Sequence, residues 1–229
     1  MARRTEYDAQ QAAGRLKVPI AAFRWARHAG VIPPPDAGDR RWMRATVEAM
    51  DPSAIQASLP NGTISGGQAA DRIAEALGTP NTPGEAPVVG TFTIRRLIAR
   101  GLLVDLTTND DYELVSPEQV TEVCARPDLA QMTADDAPLG PTQAAEHLGV
   151  RRVDFDHMHL RLGWVAPAEW REARYGTSRA GAVQVPIFRT ADIDALPRAR
   201  TEIDWAELRA VGKGQRSPLL GLVKAAASA

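Results

Sequence analysis

The sequence predicts a mainly α-helical protein with small β-hairpins, organised as three copies of one helical unit. Three observations predict this class. A short motif occurs three times, as QAAGRL at 11–16, QAADRI at 68–73 and QAAEHL at 143–148. Each copy follows a residue that favours a helix start, and each leads to a second helix that ends at a glycine. Such repetition indicates one supersecondary unit used three times, and we call the copies the first, second and third repeat.

The first helix of each repeat begins at a recognisable cap. Asp8, Ser65 and Gly140 each stand three residues before the glutamine of the motif. Aspartate or serine at that distance from glutamine is the capping-box pattern, in which each side chain satisfies an unpaired backbone N–H. The third repeat adds Pro141 at the first helical position, where its missing N–H costs nothing. The sequence therefore predicts that all three glutamines lie in the first turn of a helix.

A second helix follows in each repeat and ends at Gly30, Gly101 or Gly163, with two apolar residues next in the chain. Glycine just past the last turn is typical of a left-handed C-cap. The second repeat is longer between its motif and its glycine, and GTPNTPGEAPVVG at 78–90 accounts for the insertion.

After the glycine, each repeat has a polar stretch, a short apolar run and another helix start. Helix, turn, helix, hairpin, helix is the element order of a winged helix-turn-helix domain, in which the hairpin is the wing. The sequence thus predicts tandem winged helix-turn-helix domains at 1–60, 61–130 with the insertion 78–90, and 136–200 with the longest wing. A short helix and flexible tail are predicted at 201–229.

The stretch FRWARHAGVIPPP at 23–35 resembles the second helix and start of the wing in MerR-type regulators, and it is also similar to phage and plasmid excisionases. QAAEHLGV at 143–150 resembles the first helix and turn of the same superfamily. The resemblance implies a winged helix-turn-helix fold and binding of double-stranded DNA. The long dimerising helix of the MerR activators has no counterpart here, so effector sensing is not implied.

Basic residues cluster in the first repeat, although the formal net charge of the chain is −1. In a helix-turn-helix domain the second helix enters the major groove, while the first helix and the wing contact phosphates. Arginine can bond a guanine edge or a phosphate through two N–H groups. We therefore predict DNA contacts from the first helix, turn, second helix and wing of this repeat, at Arg15, Lys17, Arg24, Arg27, Arg40, Arg41 and Arg44.

The other two repeats carry their charge differently. In the third repeat Asp154 and Asp156 would repel phosphate, but the leading end of the second helix and the wing tip are basic. The predicted DNA contacts there are Arg151, Arg152, Arg174 and Arg179. The second repeat has an acidic wing, DLTTNDDYEL at 105–114, which favours a protein contact or a spacer role.

Other kinds of function have little support in the sequence. No nucleophile is paired with a credible base, so no enzymatic activity is expected. The chain has one cysteine, and neither its histidines nor its carboxylates have metal-site spacing, so neither a metal nor a cofactor is expected. No apolar run approaches the roughly 18 residues of a membrane span. We expect a cytoplasmic, nucleoid-associated protein.

Together these patterns predict a sequence-specific protein that binds double-stranded DNA, as a transcriptional regulator or a plasmid- or phage-type accessory factor. The alternative is an interaction scaffold, in which the winged helices contact proteins instead of DNA. The near-zero net charge and the acidic middle of the chain favour the alternative, whereas the arginines of the first repeat favour DNA. A protein partner could bind the second repeat or the C-terminal segment.

Overall fold

The computed structural model describes residues 5–38, 40–109, 111–174 and 182–227. The chain forms two compact units, residues 1–129 and residues 130–229. Helices dominate both units, and the strands form small antiparallel sheets. The predicted class of a mainly α-helical protein with small β elements is therefore confirmed. Within the described part of the chain, no helix combines the length and the apolar character needed to cross a membrane.

The first repeat lies in the first unit. Its elements are β1 (Glu6–Tyr7), α1 (Ala9–Leu16), α2 (Ile20–His28), β2 (Trp42–Met43), α3 (Arg44–Glu48) and α4 (Pro52–Ala57). The second repeat completes this unit, with β3 (Ile64–Ser65), α5 (Gly66–Ala76), α6 (Thr91–Ala99), β4 (Leu114–Val115) and α7 (Pro117–Cys124). The predicted insertion at 78–90 lies between α5 and α6 and forms neither helix nor strand.

The third repeat and the C-terminal segment form the second unit. Its elements are α8 (Leu129–Asp135), which spans the boundary, β5 (Pro138–Leu139), α9 (Pro141–Leu148), α10 (Arg152–Asp156), β6 (Glu169–Arg174), β7 (Ala182–Arg189), α11 (Thr190–Ala199), α12 (Trp205–Ala210) and α13 (Leu220–Ala227). A π-helical turn over His157–Arg161 continues α10. The predicted short helix after residue 200 is α12, and its Trp205 and Leu208 pack into the core of this unit.

The predicted helix caps are present. The Asp8 carboxylate accepts the Gln11 N–H at 2.9 Å, and the Gln11 side chain accepts the Asp8 N–H at 3.2 Å. Ser65 and Gln68 form the same reciprocal pair at the start of α5. At α9 the Gln143 side chain accepts the Gly140 N–H at 2.9 Å. A shared first-turn geometry thus underlies the repeated motif.

The two small sheets of the first unit are not formed by consecutive hairpin strands. Glu6–Tyr7 ahead of α1 pairs with Trp42–Met43, and Ile64–Ser65 ahead of α5 pairs with Leu114–Val115. In the third repeat β5 likewise pairs with β7, and β6 and β7 add a longer hairpin. The predicted wing of the third repeat therefore contains two strands paired with each other, whereas the corresponding stretches of the first two repeats form no hairpin among the described residues and contribute one short strand each, β2 and β4.

Each unit has its own apolar core. In the first repeat the Phe23 and Trp42 rings meet edge to face with centroids 5.2 Å apart, and the Trp42 indole N–H donates to the Pro33 carbonyl at 2.9 Å. In the second unit Phe155 and Phe188 meet edge to face at 5.1 Å. Trp42 is fully buried, and its packing and indole hydrogen bond hold the loop after α2 against the helices.

Candidate nucleic-acid interface

Four of the predicted arginines line one groove on the first unit. Arg24 and Arg27 lie on α2, and Arg40 and Arg41 lie on the loop that precedes β2. We call this the arginine groove, and its remaining lining residues are Asp8, Ala9, Gln10 and Thr108. The fold thus gathers positive charge from two separate segments beside the first turn of α1, where the helix dipole also favours an anion.

The register of α2 places its two arginines at the groove. Ala22, Phe23 and Ala26 are buried and hold one face of the helix against α1 and the core. Arg24 and Arg27 are three residues apart and therefore share a face of the helix. Arg27 is exposed, and Arg24 is half-buried.

A hydrogen-bonded turn presents Arg40 and Arg41. The Arg41 carbonyl accepts the N–H groups of Asp36 and Ala37 at 3.1 and 3.0 Å, which closes the loop. The Asp36 carboxylate accepts the Met43 N–H at 2.7 Å and the Thr46 hydroxyl. These two bonds, that from Thr46 first, hold the pKa of Asp36 below its ordinary value. The Asp36 carboxylate is therefore engaged away from the arginines.

No carboxylate of the described residues forms an ion pair with a groove arginine. Within the part of the chain that the structure describes, Arg27, Arg40 and Arg41 form no ion pair, and Arg24 donates to the backbone carbonyl of Thr107. Asp8 also lines the groove, but its carboxylate caps α1. As far as the described side chains show, the guanidinium groups of Arg27, Arg40 and Arg41 are open to an anionic ligand.

Two other arginines of the first repeat that were predicted to contact DNA form ion pairs with a single carboxylate. The guanidinium groups of Arg15 and Arg44 lie 2.7 and 2.8 Å from the same Glu48 oxygen. The hydrogen bond from Arg15, followed by that from Arg44, holds the pKa of Glu48 below its ordinary value. This cluster keeps part of its positive charge but gives up donors that a phosphate would need. Lys17 is exposed in the turn between α1 and α2.

Two arginines of the third repeat that were predicted to contact DNA, Arg151 and Arg152, are bound within the protein. Arg151 forms two bonds to the buried Asp154 carboxylate, at 2.6 and 3.0 Å, and it also donates to the carbonyls of Gly212 and Gln215. Arg152 pairs with Asp156 at 2.9 Å. Arg174 ends β6, and its side chain and the whole of Arg179 lie outside the described residues. Arg151 and Arg152 are therefore engaged within the protein, and the predicted contacts of Arg174 and Arg179 lie outside the described side chains.

In the second repeat an acidic residue pairs with one arginine of α6, the helix that corresponds to α2. Arg95 of α6 lies 2.7 Å from Glu113, whose side chain is only 10% exposed. The carboxylate also sits against Gly66, where a methyl group would come within 2.6 Å of it. Glu113 therefore occupies donors of Arg95 that a phosphate would need.

Sequence reasoning missed three participants. Gln10 is exposed at the start of α1, and its place next to the capping residue could have suggested it. Glu48 stands four residues after Arg44 on the same helix, and this spacing could have suggested that pair. Its contact with Arg15 lies 33 residues away and Thr108 belongs to a different repeat, so no local pattern points to these two. Their roles depend on packing between elements distant in the chain.

Comparison of the chain with models of protein families, with curated proteins and with solved structures finds no match. Among the described residues, no group of three or more histidine, cysteine, aspartate or glutamate side chains is arranged to hold a metal ion. The arginine groove is thus the candidate site with the most distinctive chemistry.

Proposed function

We propose that this protein binds double-stranded DNA in a sequence-specific manner through its first repeat. The observation that carries the proposal is the arginine groove, where Arg24 and Arg27 of a helix meet Arg40 and Arg41 of a turn without a close carboxylate partner among the described residues. Guanidinium groups on a helix and an adjacent loop match a DNA groove and its flanking phosphates.

In this proposal α1 and α2 form a helix-turn-helix, and α2 lies in the major groove. Arg24 and Arg27 face the base edges, and the turn that carries Arg40 and Arg41 acts as a short wing against the phosphates. The first turn of α1 offers backbone N–H groups to the same strand. The tandem winged helix-turn-helix architecture and the likeness to MerR-type regulators and excisionases belong to this proposal, as does a place on the nucleoid. A transcriptional regulator or a plasmid- or phage-type accessory factor would suit it.

Binding to labelled duplexes, followed by fluorescence anisotropy over a range of salt concentrations, tests the proposal. Each phosphate that an arginine neutralises should contribute about −0.9 to the slope of log K against log salt. We expect a slope of roughly −2 if Arg40 and Arg41 each contact a phosphate while Arg24 and Arg27 face base edges. The absence of binding at low salt would contradict the proposal and leave the scaffold alternative.

A double variant identifies the surface. Arg24→Ala with Arg27→Ala should weaken binding to a selected duplex by about 30-fold or more and remove the preference over random DNA. Arg72→Ala with Arg126→Ala is the charge-matched control, because Arg72 and Arg126 are exposed and do not line the groove. Equal losses in the two double variants would indicate attraction by overall charge alone.

A protein-binding role is the second candidate for the third repeat. Val153 of α10 and Leu160 of the π-helical turn are 48% and 63% exposed. Exposed apolar side chains of this kind are not needed for contacts with DNA phosphates. Arg151 and Arg152 beside them are paired with carboxylates. This surface favours a contact with protein over a contact with phosphate.

A further inference from the structure

Part of the second repeat packs into the first repeat. Leu106 is fully buried and belongs to the apolar core that contains Phe23 and Trp42. Val104 and Leu114 pack against the same core from the second repeat. We call residues 104–109 the brace loop, since it connects the two repeats through side-chain packing.

Hydrogen bonds fix the conformation of the brace loop at several points. The Val104 N–H donates to the Gln119 side chain at 3.0 Å, and the Leu106 N–H donates to the Leu114 carbonyl at 2.7 Å. The Thr107 hydroxyl accepts the Asn109 N–H at 3.0 Å. Thr107 is only 5% exposed. Packing into the core of the first repeat and hydrogen bonds to the second repeat therefore hold the loop in one conformation.

The brace loop reaches the arginine groove at two adjacent residues. The Thr107 carbonyl accepts a hydrogen bond from the Arg24 guanidinium, which belongs to the first repeat. Thr108 is exposed and lines the groove with Arg27, Arg40 and Arg41. One residue thus orients an arginine, and the next one adds its own polar groups to the surface.

We propose that the brace loop is part of the DNA-binding surface, with Thr107 as a positioning residue for Arg24 and Thr108 as an additional contact to a DNA phosphate. This inference rests on the proposed function. An arginine held in one orientation loses less conformational freedom on binding than a free one, so orientation by the Thr107 carbonyl strengthens its contact. A threonine hydroxyl and its backbone N–H are common donors to phosphate oxygens.

Introducing a negative charge into the groove tests the role of Thr108. Thr108→Glu should weaken duplex binding about tenfold, because the carboxylate would face a phosphate. Thr79→Glu adds the same charge at an exposed position of the first unit outside the groove, and we expect a change of less than about twofold. Equal effects of the two substitutions, or no effect of Thr108→Glu, would overturn the contact.

A coupled set of variants tests the role of Thr107. Thr107→Val keeps the side-chain shape and the backbone carbonyl, but it removes the hydroxyl that accepts the Asn109 N–H and helps to fix the loop. We expect the variant to bind duplex about fivefold more weakly. Thr107→Ser retains the hydroxyl and should restore binding. In an Arg24→Ala background, Thr107→Val should have no further effect, since its influence acts through Arg24.

Thermal unfolding of each variant shows whether weaker binding comes from a misplaced Arg24 or from an unfolded protein. A variant with unchanged Tm and weaker binding has kept its core. A Thr107→Val effect of equal size with and without Arg24 would overturn the positioning role. These failures differ from failure of the proposed function, in which the wild-type protein binds no duplex at all.

Discussion

Arg151 is the clearest example of a basic side chain that serves the fold. Its guanidinium satisfies the carboxylate of Asp154, which is fully buried, and joins α10 to the carbonyls of Gly212 and Gln215. A buried carboxylate without its partner is strongly destabilising. Arg151 therefore holds the C-terminal segment against the helix that begins beside it.

Replacing Arg151 should reveal this role. We expect Arg151→Met to lower the free energy of unfolding of the second unit by about 3 kcal/mol or more, because Asp154 stays buried without a cation. The matched control is Arg152→Met, whose exposed pair with Asp156 is worth at most about 1 kcal/mol. Urea denaturation measures both, and equal losses would contradict the assignment.

His159 is a buried, weakly compensated histidine. Its side chain is 4% exposed and packs against the rings of Phe155 and Phe188, with its Nε2 atom 3.4 Å from Asp156. Burial lowers the pKa of His159 below its ordinary value of 6.5, and the nearby Asp156 carboxylate opposes this shift. The folded protein therefore binds a proton at this site less readily than the unfolded chain.

This difference predicts a pH dependence of stability. As pH falls through about 6.5, the unfolded chain takes up a proton on this histidine while the folded unit does not, so the free energy of unfolding should decrease. The decrease should end below the lowered folded pKa, where both states are protonated. Thermal unfolding between about pH 5 and pH 7 should show a shallower loss for His159→Phe than for the wild type. Identical slopes would contradict this explanation.

At the scale of elements, the helix termini were the most predictable features. The capping residues and the glutamines three positions later specify the start of each first helix through local hydrogen bonds. The glycines at the ends of the second helices have positive φ, at 72° for Gly30, 73° for Gly101 and 61° for Gly163. Both signals depend on neighbours within four residues, and for that reason they can be read from sequence.

Two glycines of the first repeat should respond oppositely to alanine. Gly14 lies within α1 and Gly30 follows α2 with positive φ, and an added methyl group meets no atom within 4 Å at either position. We expect Gly14→Ala to stabilise the first unit by about 0.5–1 kcal/mol and Gly30→Ala to destabilise it by about 1 kcal/mol. Chemical denaturation checks both, and changes of the same sign would show that local backbone preference does not decide the outcome.

The predicted wing of the first repeat shows where local patterns were insufficient. Pro33, Pro34 and Pro35 have no backbone N–H and cannot extend a ladder, so the chain forms a turn and its two-residue strand pairs with the segment before α1. The π-helical turn over His157–Arg161 likewise had no signal in the sequence. In both cases the outcome depends on which distant segment offers a partner.

At the scale of the whole molecule, the composition of the arginine groove could be predicted only in part. The sequence identified its four arginines from their type and spacing. It did not identify Thr107 and Thr108, because the contact between Arg24 and Thr107 joins residues 83 positions apart. It also did not separate the groove arginines from Arg15 and Arg44, although Glu48 binds Arg44 within α3 and reaches Arg15 on α1.

The division into two compact units leads to a prediction about affinity. Since the described basic residues Arg151 and Arg152 are paired with carboxylates, we expect residues 1–129 alone to bind duplex within about threefold of the whole chain. Circular dichroism establishes that the fragment is folded, and anisotropy measures its affinity. If the whole chain binds about 100-fold more tightly than the fragment, residues 130–229 contain a second DNA-binding surface.

The burial of Leu106 beneath Phe23 and Trp42 limits how this molecule can be dissected or reused. Residues 1–60 transplanted into another protein would leave an apolar cavity and lose the carbonyl that orients Arg24. We expect the smallest transferable recognition module to end near residue 129. Changing the length of residues 58–63, which join α4 to β3, should therefore alter target preference, even though this segment lines no part of the groove.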